Sequence, residues 1–471
     1  MRYNLNPKVS GCNVMNGLTA REVRSVFALA GVFASRMMGL FLIMPVIALY
    51  GRQLQGSTPE LVGMAIGIYG LMQSILQIPL GILSDRVPRK PLIISGMLIF
   101  AAGAAVSALS HSIHGVILGR ALQGAGAISA VAMALVADLT RDEHRTKAMA
   151  VIGMTIGLSF SVAFIVSPIL AGWGGLAAVF WTTALLAVLG ALICAVFVPS
   201  PQVHTIYKAP NRSSFGSLLF QPHLLRINIG VLFMHAVMAS VWMVMPLLLV
   251  QQGHLPLAHH AWVYLPVMLL GFVGSVPFII IAEKKFYLRS MMAVAVLVMM
   301  TGLGIAGGIH QGLWPLVVGL FLYFLAFNLL EALLPSVVSK LAPAGARGSA
   351  MGIFSTFQFL GPAVGGMLGG FLLVHHISTA EVIALAILPL LVWFVILATM
   401  REIRPLRSYI LHFSAQNPEE ISKILLEVGQ VSGVVETLYD AEQNRAYMKA
   451  DAQSFKPESL QGLPVTAFVG S

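Results

Sequence analysis

Charged side chains are scarce in this 471-residue sequence: Asp, Glu, Lys and Arg make up only 10% of it. Soluble domains carry about 25% of these residues. Hydrophobic residues reach 58% and the mean hydropathy is +0.87. A soluble core of this size would have too little polar surface to stay in solution. The shortage of charge therefore excludes an ordinary soluble protein and predicts that most of the chain is surrounded by lipid.

The sequence lacks the residues for several kinds of functional site. Cys12 and Cys194 are the two cysteines, with no CxxC pair, so neither a disulfide framework nor a thiolate metal site is expected. No glycine-rich nucleotide cradle is present. No cluster of His, acid and nucleophile resembles a catalytic site. We therefore expect no enzyme activity, no cofactor and no metal. The net charge of +10 does not indicate nucleic acid, because the basic residues lie between apolar runs.

The apolar runs are long and continuous. Each spans about 20 residues without a period of two, which predicts membrane-spanning helices rather than a β-barrel. Twelve such helices are predicted, at 25–50, 60–83, 91–110, 115–139, 146–170, 176–199, 225–250, 261–282, 290–309, 313–339, 348–374 and 379–400.

Lys and Arg occur in alternate connections between these runs, whereas the intervening connections carry only Arg52. Basic residues mark cytoplasmic loops, so both termini are predicted to be cytoplasmic. The basic residues concerned are Arg2, Lys8, Arg21, Arg24; Arg86, Arg89, Lys90; Arg141, Arg145, Lys147; Lys208, Arg212; Lys284, Lys285, Arg289; Lys340, Arg347; Arg401, Arg404 and Arg407.

The chain divides into two halves with an appended domain. RTKAMAVIG at 145–153 and RGSAMGIFS at 347–355 are similar and begin predicted helices 5 and 11. Paired halves with a site between them are typical of transporters. The predicted domains are a cytoplasmic segment 1–24, a six-helix half 25–199, a cytoplasmic linker 200–224, a six-helix half 225–404 and a cytoplasmic domain 405–471.

The segment 405–471 changes character, because its acidic residues outnumber its basic ones. Its pattern predicts strand SYILHF, helix PEEISKILLEVG, strand VVETLYD, strand RAYMKA, helix KPESLQGL and strand VTAF. A βαββαβ order predicts a small α+β ferredoxin-like domain. A soft-metal role is not expected for it, since it has no cysteine pair.

Two motifs resemble signatures of the major facilitator superfamily. GILSDRVPRK at 81–90 is similar to the loop pattern G-x-L-x-D-R-x-G-R-[RK], with Pro88 in place of Gly, and RALQGAGA at 120–127 is similar to R-x-x-Q-G-x-G-A. The antiporter pattern of helix 5 is altered to Ser167-Pro168, while GPAVGG at 361–366 is similar to it. With FNLLEALLPSVVSK at 327–340 and the appended domain, the chain resembles bacterial efflux members of this superfamily. The resemblance implies proton-driven export across the inner membrane, with protons, lipid and a small molecule as partners and a monomeric protein.

The charged motif between predicted helices 2 and 3 has two interpretations. Asp85 lies at the same membrane face as the N-terminus of predicted helix 11, whose partial positive charge stabilises carboxylates. It could latch the halves together, and the resemblance implies that Asp85, Arg89 and Asp138 act as a group. The alternative is a solvated loop whose basic residues only set topology. The predicted latch comprises Gly81, Asp85, Arg86, Arg89, Lys90 and Asp138.

Ionisable residues inside spans are costly and usually functional. Glu331 is the first candidate for proton coupling, because burial raises a carboxyl pKa and a nearby cation lowers it; the alternative is a structural partner for Arg or for backbone. His235 is a second candidate, or a structural residue. Arg36 and Arg120 could attract an anionic group, tune an acid or serve packing. The cavity candidates are Arg36, Gln73, Gln77, Arg120, Gln123, Asn328 and Gln358.

These features predict a secondary active transporter that exports a small organic compound in exchange for protons. The alternatives are a proton-independent facilitator, or a membrane sensor in which 405–471 is a regulatory module.

Overall fold

The structure is a computed structural model. It describes residues 19–84, 87–140, 142–199, 215–285, 287–308, 312–342, 347–375, 377–400, 406–413, 418–440, 445–451, 454–460 and 465–470.

Helices form almost all of the described chain up to residue 400. They are α1 Ala20–Phe41, α2 Met44–Tyr50, α3 Pro59–Ser84, α4 Arg89–Leu109, α5 Ile113–Ala125, α6 Ser129–Leu139, α7 Asp142–Phe197, α8 Phe215–Leu219, α9 Pro222–Gln251, α10 His260–Lys285, α11 Leu288–Gly308, α12 Leu313–Leu341, α13 Arg347–Val374 and α14 Thr379–Thr399. Two short 3-10 helices cover Gly51–Gln53 and Leu257–His259.

Eleven segments of the described chain are long and apolar enough to cross a membrane, whereas the sequence predicts twelve. The difference lies in α7, where predicted helices 5 and 6 form one span, Val151–Phe197. Gly174 and Gly175 inside it have non-helical backbone angles, with φ of +62° at Gly175. A helix cannot continue through a residue in that conformation, so α7 consists of two helical segments joined at a sharp kink.

Two predicted helices are broken, and side chains from elsewhere bond to the backbone at the breaks. Helix 1 is interrupted between α1 and α2, where Ser167 Oγ donates a hydrogen bond to the Leu42 carbonyl oxygen. Helix 4 is interrupted at 126–128, between α5 and α6, where the Arg36 guanidinium reaches the Gly126 carbonyl oxygen. Backbone groups in a membrane interior need such partners. The Ser167 hydroxyl thus has a structural use at the position where the antiporter pattern has Gly.

The same close crossing of two helices occurs in both halves. A Cβ atom on Gly103 of α4 would lie 2.5 Å from the Gly119 carbonyl oxygen of α5. A Cβ atom on Gly302 of α11 would lie 2.6 Å from the Gly319 carbonyl oxygen of α12. Both crossings therefore require glycine, because only glycine lets two helix backbones approach so closely. The equivalent glycines lie 199 and 200 positions apart, which supports the internal repeat seen in the sequence.

The two halves also share a basic side chain that bonds to carbonyl oxygens at the end of a helix. Lys90 Nζ donates to the carbonyl oxygens of Ala195 and Val198 at 2.8 and 2.7 Å. Arg289 Nη1 donates to those of Ala398 and Met400 at 3.2 and 2.8 Å. Each cation satisfies carbonyls at the C-terminal end of a helix, where positive charge is favoured. Lys90 thus has a definite structural contact within its own half.

We expect Lys90→Met to lower the apparent melting temperature by a few degrees. The change removes two charge-assisted hydrogen bonds, together worth about 1–2 kcal/mol at this partly exposed site. Scanning fluorimetry of the purified protein measures the shift, and Lys423→Met, on an exposed position of the C-terminal segment, is the control. Equal melting temperatures for both variants would contradict the role of Lys90 in holding α4 to the end of α7.

The C-terminal segment forms a four-stranded antiparallel sheet with one α-helix, α15 Pro418–Gln430. The strands lie in the order β2–β3–β1–β4, with β1 paired to both β3 and β4. A 3-10 helix, Pro457–Leu460, replaces the predicted second helix among the described residues. The strands are β1 Leu406–Phe413, β2 Val434–Asp440, β3 Arg445–Asp451 and β4 Val465–Gly470.

Candidate functional site

The two halves are in backbone contact at one end, hereafter the closed end, where α3 begins and α13 finishes. A Cβ atom on Gly63 would overlap the Gly366 carbonyl oxygen, and one on Gly67 would lie 2.7 Å from the Ala363 carbonyl oxygen. A Cβ atom on Gly370 would lie 2.5 Å from the Pro59 carbonyl oxygen. Contacts this short leave no room for a side chain, so glycine at these positions is what permits closure.

The same stretch of α13 also contacts α9, within its own half. A Cβ atom on Gly361 would lie 2.6 Å from the His235 Cβ, and one on Gly365 would overlap the Ala236 backbone. Ser240 Oγ donates to the Gly365 carbonyl oxygen at 2.9 Å. The glycines of GPAVGG therefore lie on two faces of α13, one against α9 and one against α3 of the other half.

Aromatic rings add a second contact between the halves. Phe160 of α7 lies with its ring centroid 5.9 Å from that of Phe324 and 5.7 Å from that of Phe327, both on α12. Phe164, one turn further along α7, lies 4.2 Å from Trp242 of α9. All five rings are less than 5% exposed. They form a buried aromatic cluster that joins α7 of the first half to α9 and α12 of the second.

Glycines near the opposite end, hereafter the open end, have open space beside them. Gly348 and Gly352, near the start of α13, have no atom within 4 Å of the position of a Cβ atom. Gly153, near the start of the described spanning part of α7, is equally free of neighbours. These glycines lie in the two similar segments at 145–153 and 347–355. The described glycines are thus in backbone contact across the halves at the closed end, whereas those in the two similar segments are not.

Three predicted residues from three helices meet between these ends. Gln358 Nε2 of α13 donates to Glu331 Oε1 of α12 at 2.7 Å, and His235 Nε2 of α9 lies 3.5 Å from Glu331 Oε2. Gln358 Nε2 is also 3.4 Å from His235 Nε2. The Glu331 side chain is 29% exposed and that of His235 is 9% exposed. The cluster is thus buried on one side and accessible on the other.

The tautomer of His235 follows from its other contact. His235 Nδ1 lies 3.0 Å from the Val231 carbonyl oxygen, which can only accept, so Nδ1 carries a proton. In the neutral ring, Nε2 is then an unprotonated acceptor directed at Glu331 and Gln358. Glu331 and His235 together can therefore hold one proton between them, as a neutral acid beside neutral imidazole or as an ion pair.

Arg36 is held in a buried network inside the first half. Its guanidinium is 1% exposed and donates to Ser129 Oγ and Gln73 Oε1, each at 2.5 Å, and to the Tyr69 hydroxyl at 3.1 Å. Gln73 in turn donates to Gln77 Oε1 at 3.0 Å. The partners are neutral. Arg36, Gln73 and Gln77 are covered in this conformation, and their assignment to a cavity stays a prediction.

Arg120 forms a second buried group close to the first. It donates through Nε to the Ala65 carbonyl oxygen at 3.2 Å and through Nη1 to Gln123 Oε1 at 2.8 Å. Its guanidinium lies 4.8 Å from the centroid of the Tyr69 ring. Tyr69 thus touches both buried arginines, through its hydroxyl and through its ring. Neither Arg120 nor Gln123 is exposed, so these contacts fit the packing interpretation.

The predicted latch is described only in part. Arg89 Nη1 contacts an Asp138 carboxylate oxygen and donates to the Ala134 carbonyl oxygen at 2.9 Å. Gly81 has ordinary contacts, its nearest being Ala130 at 3.9 Å from a built Cβ. Asp85 and Arg86, and the Arg347 side chain, lie outside the described residues. The latch across the halves therefore stays a prediction, while two of its predicted members are in contact.

Asn328 does not join the Glu331 cluster, since its amide donates to the Phe324 carbonyl oxygen of its own helix at 2.9 Å. Sequence reasoning missed Tyr69 and Ser129, which resemble ordinary core residues. It also missed the closing glycines of α3, although their spacing in GMAIGIYG at 63–70 is a recognisable small-residue pattern.

Comparison with known proteins identifies the family. The Major Facilitator Superfamily model matches residues 29–361 and 281–428. The "Inner membrane transport protein YajR" of Escherichia coli (strain K12) is 43% identical over 93% of this chain and 96% of its own length. The "Multidrug resistance protein MdtH" of Aeromonas salmonicida (strain A449) is 28% identical over 71% of this chain and 82% of its own length.

Solved structures share the fold. A bacterial homolog of the human lysosomal transporter Spinster, in an inward-facing and unoccupied conformation, has a TM-score of 0.65 at 15% identity, over 81% of this chain and 96% of that one. The human organic anion transporter MFSD10 (TETRAN) has a TM-score of 0.59 at 18% identity, over 80% of this chain and 100% of that one. Since its sequence matches a family of membrane transporters over most of its length, the chain belongs to the Major Facilitator Superfamily and is not an enzyme.

Proposed function

We propose that this protein is a proton-coupled secondary transporter that exports a small organic compound across the bacterial inner membrane by alternating access. One observation carries the proposal. The halves touch at the closed end, and the pair Glu331 and His235, which we propose binds the proton, lies between the closed and open ends with Glu331 still accessible. A site reachable from one side at a time is what alternating access requires.

The number of spans and the position of the basic loops indicate which end of the protein faces the cytoplasm. Counting the two segments of α7 on either side of Gly174 as separate crossings gives twelve spans, in keeping with cytoplasmic termini and with the basic loops. The open end is then cytoplasmic, because it holds Arg89, Lys90 and the start of α13. The order β2–β3–β1–β4 in the C-terminal segment supports a ferredoxin-like domain on that side. We take the domain boundaries to be those predicted from the sequence and the working unit to be a monomer.

In this proposal, proton coupling arises because the Glu331 carboxyl group is accessible from opposite sides of the membrane in the two conformations. Facing the cytoplasm, the carboxyl group meets water and can release its proton. When the halves rock and the closed end opens, the same group meets the outside and can be protonated again. The contact of Arg89 with Asp138 supports a latch, joined by Asp85, that would hold the cytoplasmic end shut in that second state.

The substrate that we propose is an apolar or amphipathic organic compound. Phe and Met side chains are among the buried residues of both halves, and Met is suited to surfaces that adapt to different ligands. The name of the MdtH relative points to multidrug resistance. The buried arginines are covered, so they are not proposed as direct ligands of the substrate.

Inside-out membrane vesicles test this function. With the protein present, a lipophilic fluorescent dye should accumulate when the vesicle lumen is made acidic, and a protonophore should abolish accumulation. Uptake that is unaffected by the protonophore would favour a proton-independent facilitator. The absence of any protein-dependent uptake over a broad panel of compounds, with pH-dependent changes in the 405–471 domain, would favour a sensor.

A further inference from the structure

We propose that Gln358 is the positioning residue that takes the place of the coupling proton: when the pair Glu331 and His235 is proton-free, the Gln358 amide supplies one N–H to each of them. The inference rests on the proposed function and deepens it, since it says how proton occupancy is communicated to α13.

A hydrogen-bond donor is needed because the Glu331 carboxylate and His235 Nε2 are two acceptors that face each other. Glu331 Oε2 and His235 Nε2 are 3.5 Å apart. With one proton between them they form a donor–acceptor pair. Without it, a carboxylate oxygen faces an imidazole lone pair, because Nδ1 already carries the ring proton. Two facing acceptors without a donor between them are costly, so a donor from elsewhere stabilises the proton-free state.

Gln358 is placed to supply it. Its Nε2 is 2.7 Å from Glu331 Oε1 and 3.4 Å from His235 Nε2. A side-chain amide nitrogen carries two N–H groups, one for each acceptor. When the pair gains a proton, His235 Nε2 no longer needs the second N–H, and the longer contact is the one that can be released.

Gln358 lies on the helix that joins the two halves, so a change in its hydrogen bonds can affect their contact. Gln358 lies on α13, three residues before Gly361, which packs on His235. The next turns of α13 contact α3 of the other half through Ala363 and Gly366. A change in the bonds of Gln358 therefore acts on the helix that joins the halves at the closed end.

The cluster contains the titratable groups that matter for this exchange. Among the described interior residues of the elements packed on α12, the titratable ones are His235 of α9 and His260 and Tyr264 of α10, and α12 itself adds Tyr323. His260 Nε2 lies 3.1 Å from the Leu255 carbonyl oxygen and does not reach the cluster. Neither tyrosine hydroxyl has a hydrogen-bond partner, so neither bonds to the cluster. Arg289 of α11 bonds to the carbonyl oxygens of Ala398 and Met400.

Infrared titration of the full-length protein in lipid nanodiscs tests the inference without a substrate. The wild type should show a protonated-carboxyl band that disappears with rising pH and is missing in Glu331→Gln. Gln358→Met should move the midpoint up by about one pH unit, a tenfold gain in proton affinity, because a donor to the charged form is lost. Gln358→Lys should move it down, because a cation favours the carboxylate.

Thr356→Val is the matched control, because Thr356 Oγ1 bonds only within α13, to the Gly352 carbonyl oxygen at 3.0 Å. Its midpoint should equal that of the wild type. A Glu331 band that titrates unchanged in Gln358→Met, or that moves the same way in the Met and Lys variants, overturns the inference. A wild type with no band that Glu331→Gln removes would instead refute the proton site itself, so the two failures are distinct.

Discussion

Replacing both Gly63 and Gly67 with alanine is expected to open the closed end of the protein. Each added methyl group meets backbone of α13, at the Gly366 and Ala363 carbonyl oxygens, rather than a side chain that could move aside. Overpacking typically costs about 1–3 kcal/mol per site, and each 1.4 kcal/mol is tenfold in population. We expect the closed-end contact to lose at least tenfold in population and transport to fall accordingly.

The fold should survive this change, because separating α3 from α13 is a step of the proposed transport cycle and relieves the overlap. Gly348→Ala with Gly352→Ala is the matched control: it has the same spacing on one helix, but no atom lies within 4 Å of either new methyl group. Alanine favours a helix over glycine by about 1 kcal/mol per residue, so the control should be stable and active.

Spin labels at Gln55 and His375, which are exposed at the closed end, would measure this change. The Gly63/Gly67 variant should show a longer label–label distance than the wild type, and the Gly348/Gly352 variant an unchanged one. An unchanged distance in the first variant would show that the glycine contacts do not control closure.

The second large effect is expected from Glu331→Gln. Glutamine keeps the size of the side chain and can bond to Gln358, but it carries no exchangeable acid. A gradient of one pH unit is worth about a tenfold accumulation per coupled proton, and the variant should lose that accumulation. Exchange of labelled for unlabelled compound across a membrane without a pH gradient should continue, because the halves can still move.

Glu60→Gln serves as the control for this change, since Glu60 is an acid in the first turn of α3, away from the cluster. Gradient-driven uptake should remain in Glu60→Gln and disappear in Glu331→Gln. If Glu331→Gln also stopped exchange, the carboxylate would be needed for substrate binding or folding rather than for coupling alone.

Much of the fold could be predicted because each helix carries its own pattern. The runs of apolar residues, the basic loops and the pattern of 405–471 are local signals, and the helices and strands lie near the predicted positions. The break at 126–128 is not predicted, because these residues interrupt an apolar run without ending it. The kink at Gly174 and Gly175 instead falls in the gap between predicted helices 5 and 6.

The candidate site could be predicted only as separate residues. Glu331, His235 and Gln358 stand out as polar groups in apolar helices, yet they are far apart in the sequence, and their meeting depends on how α9, α12 and α13 pack. Arg36 shows the opposite case. The sequence leaves its role open, and its bonds to Ser129, Gln73 and the Gly126 carbonyl oxygen depend on the break in helix 4, which the apolar run does not reveal.

The central claim is that compound and proton move in opposite directions through one site containing Glu331. Proteoliposomes with an internal pH dye, exposed to a compound that the vesicle assay identifies, test it most directly. We predict compound-dependent proton movement in the wild type and none in Glu331→Gln at equal protein density. Compound movement through the wild type with no accompanying change in internal pH would contradict the claim, although the fold would stand.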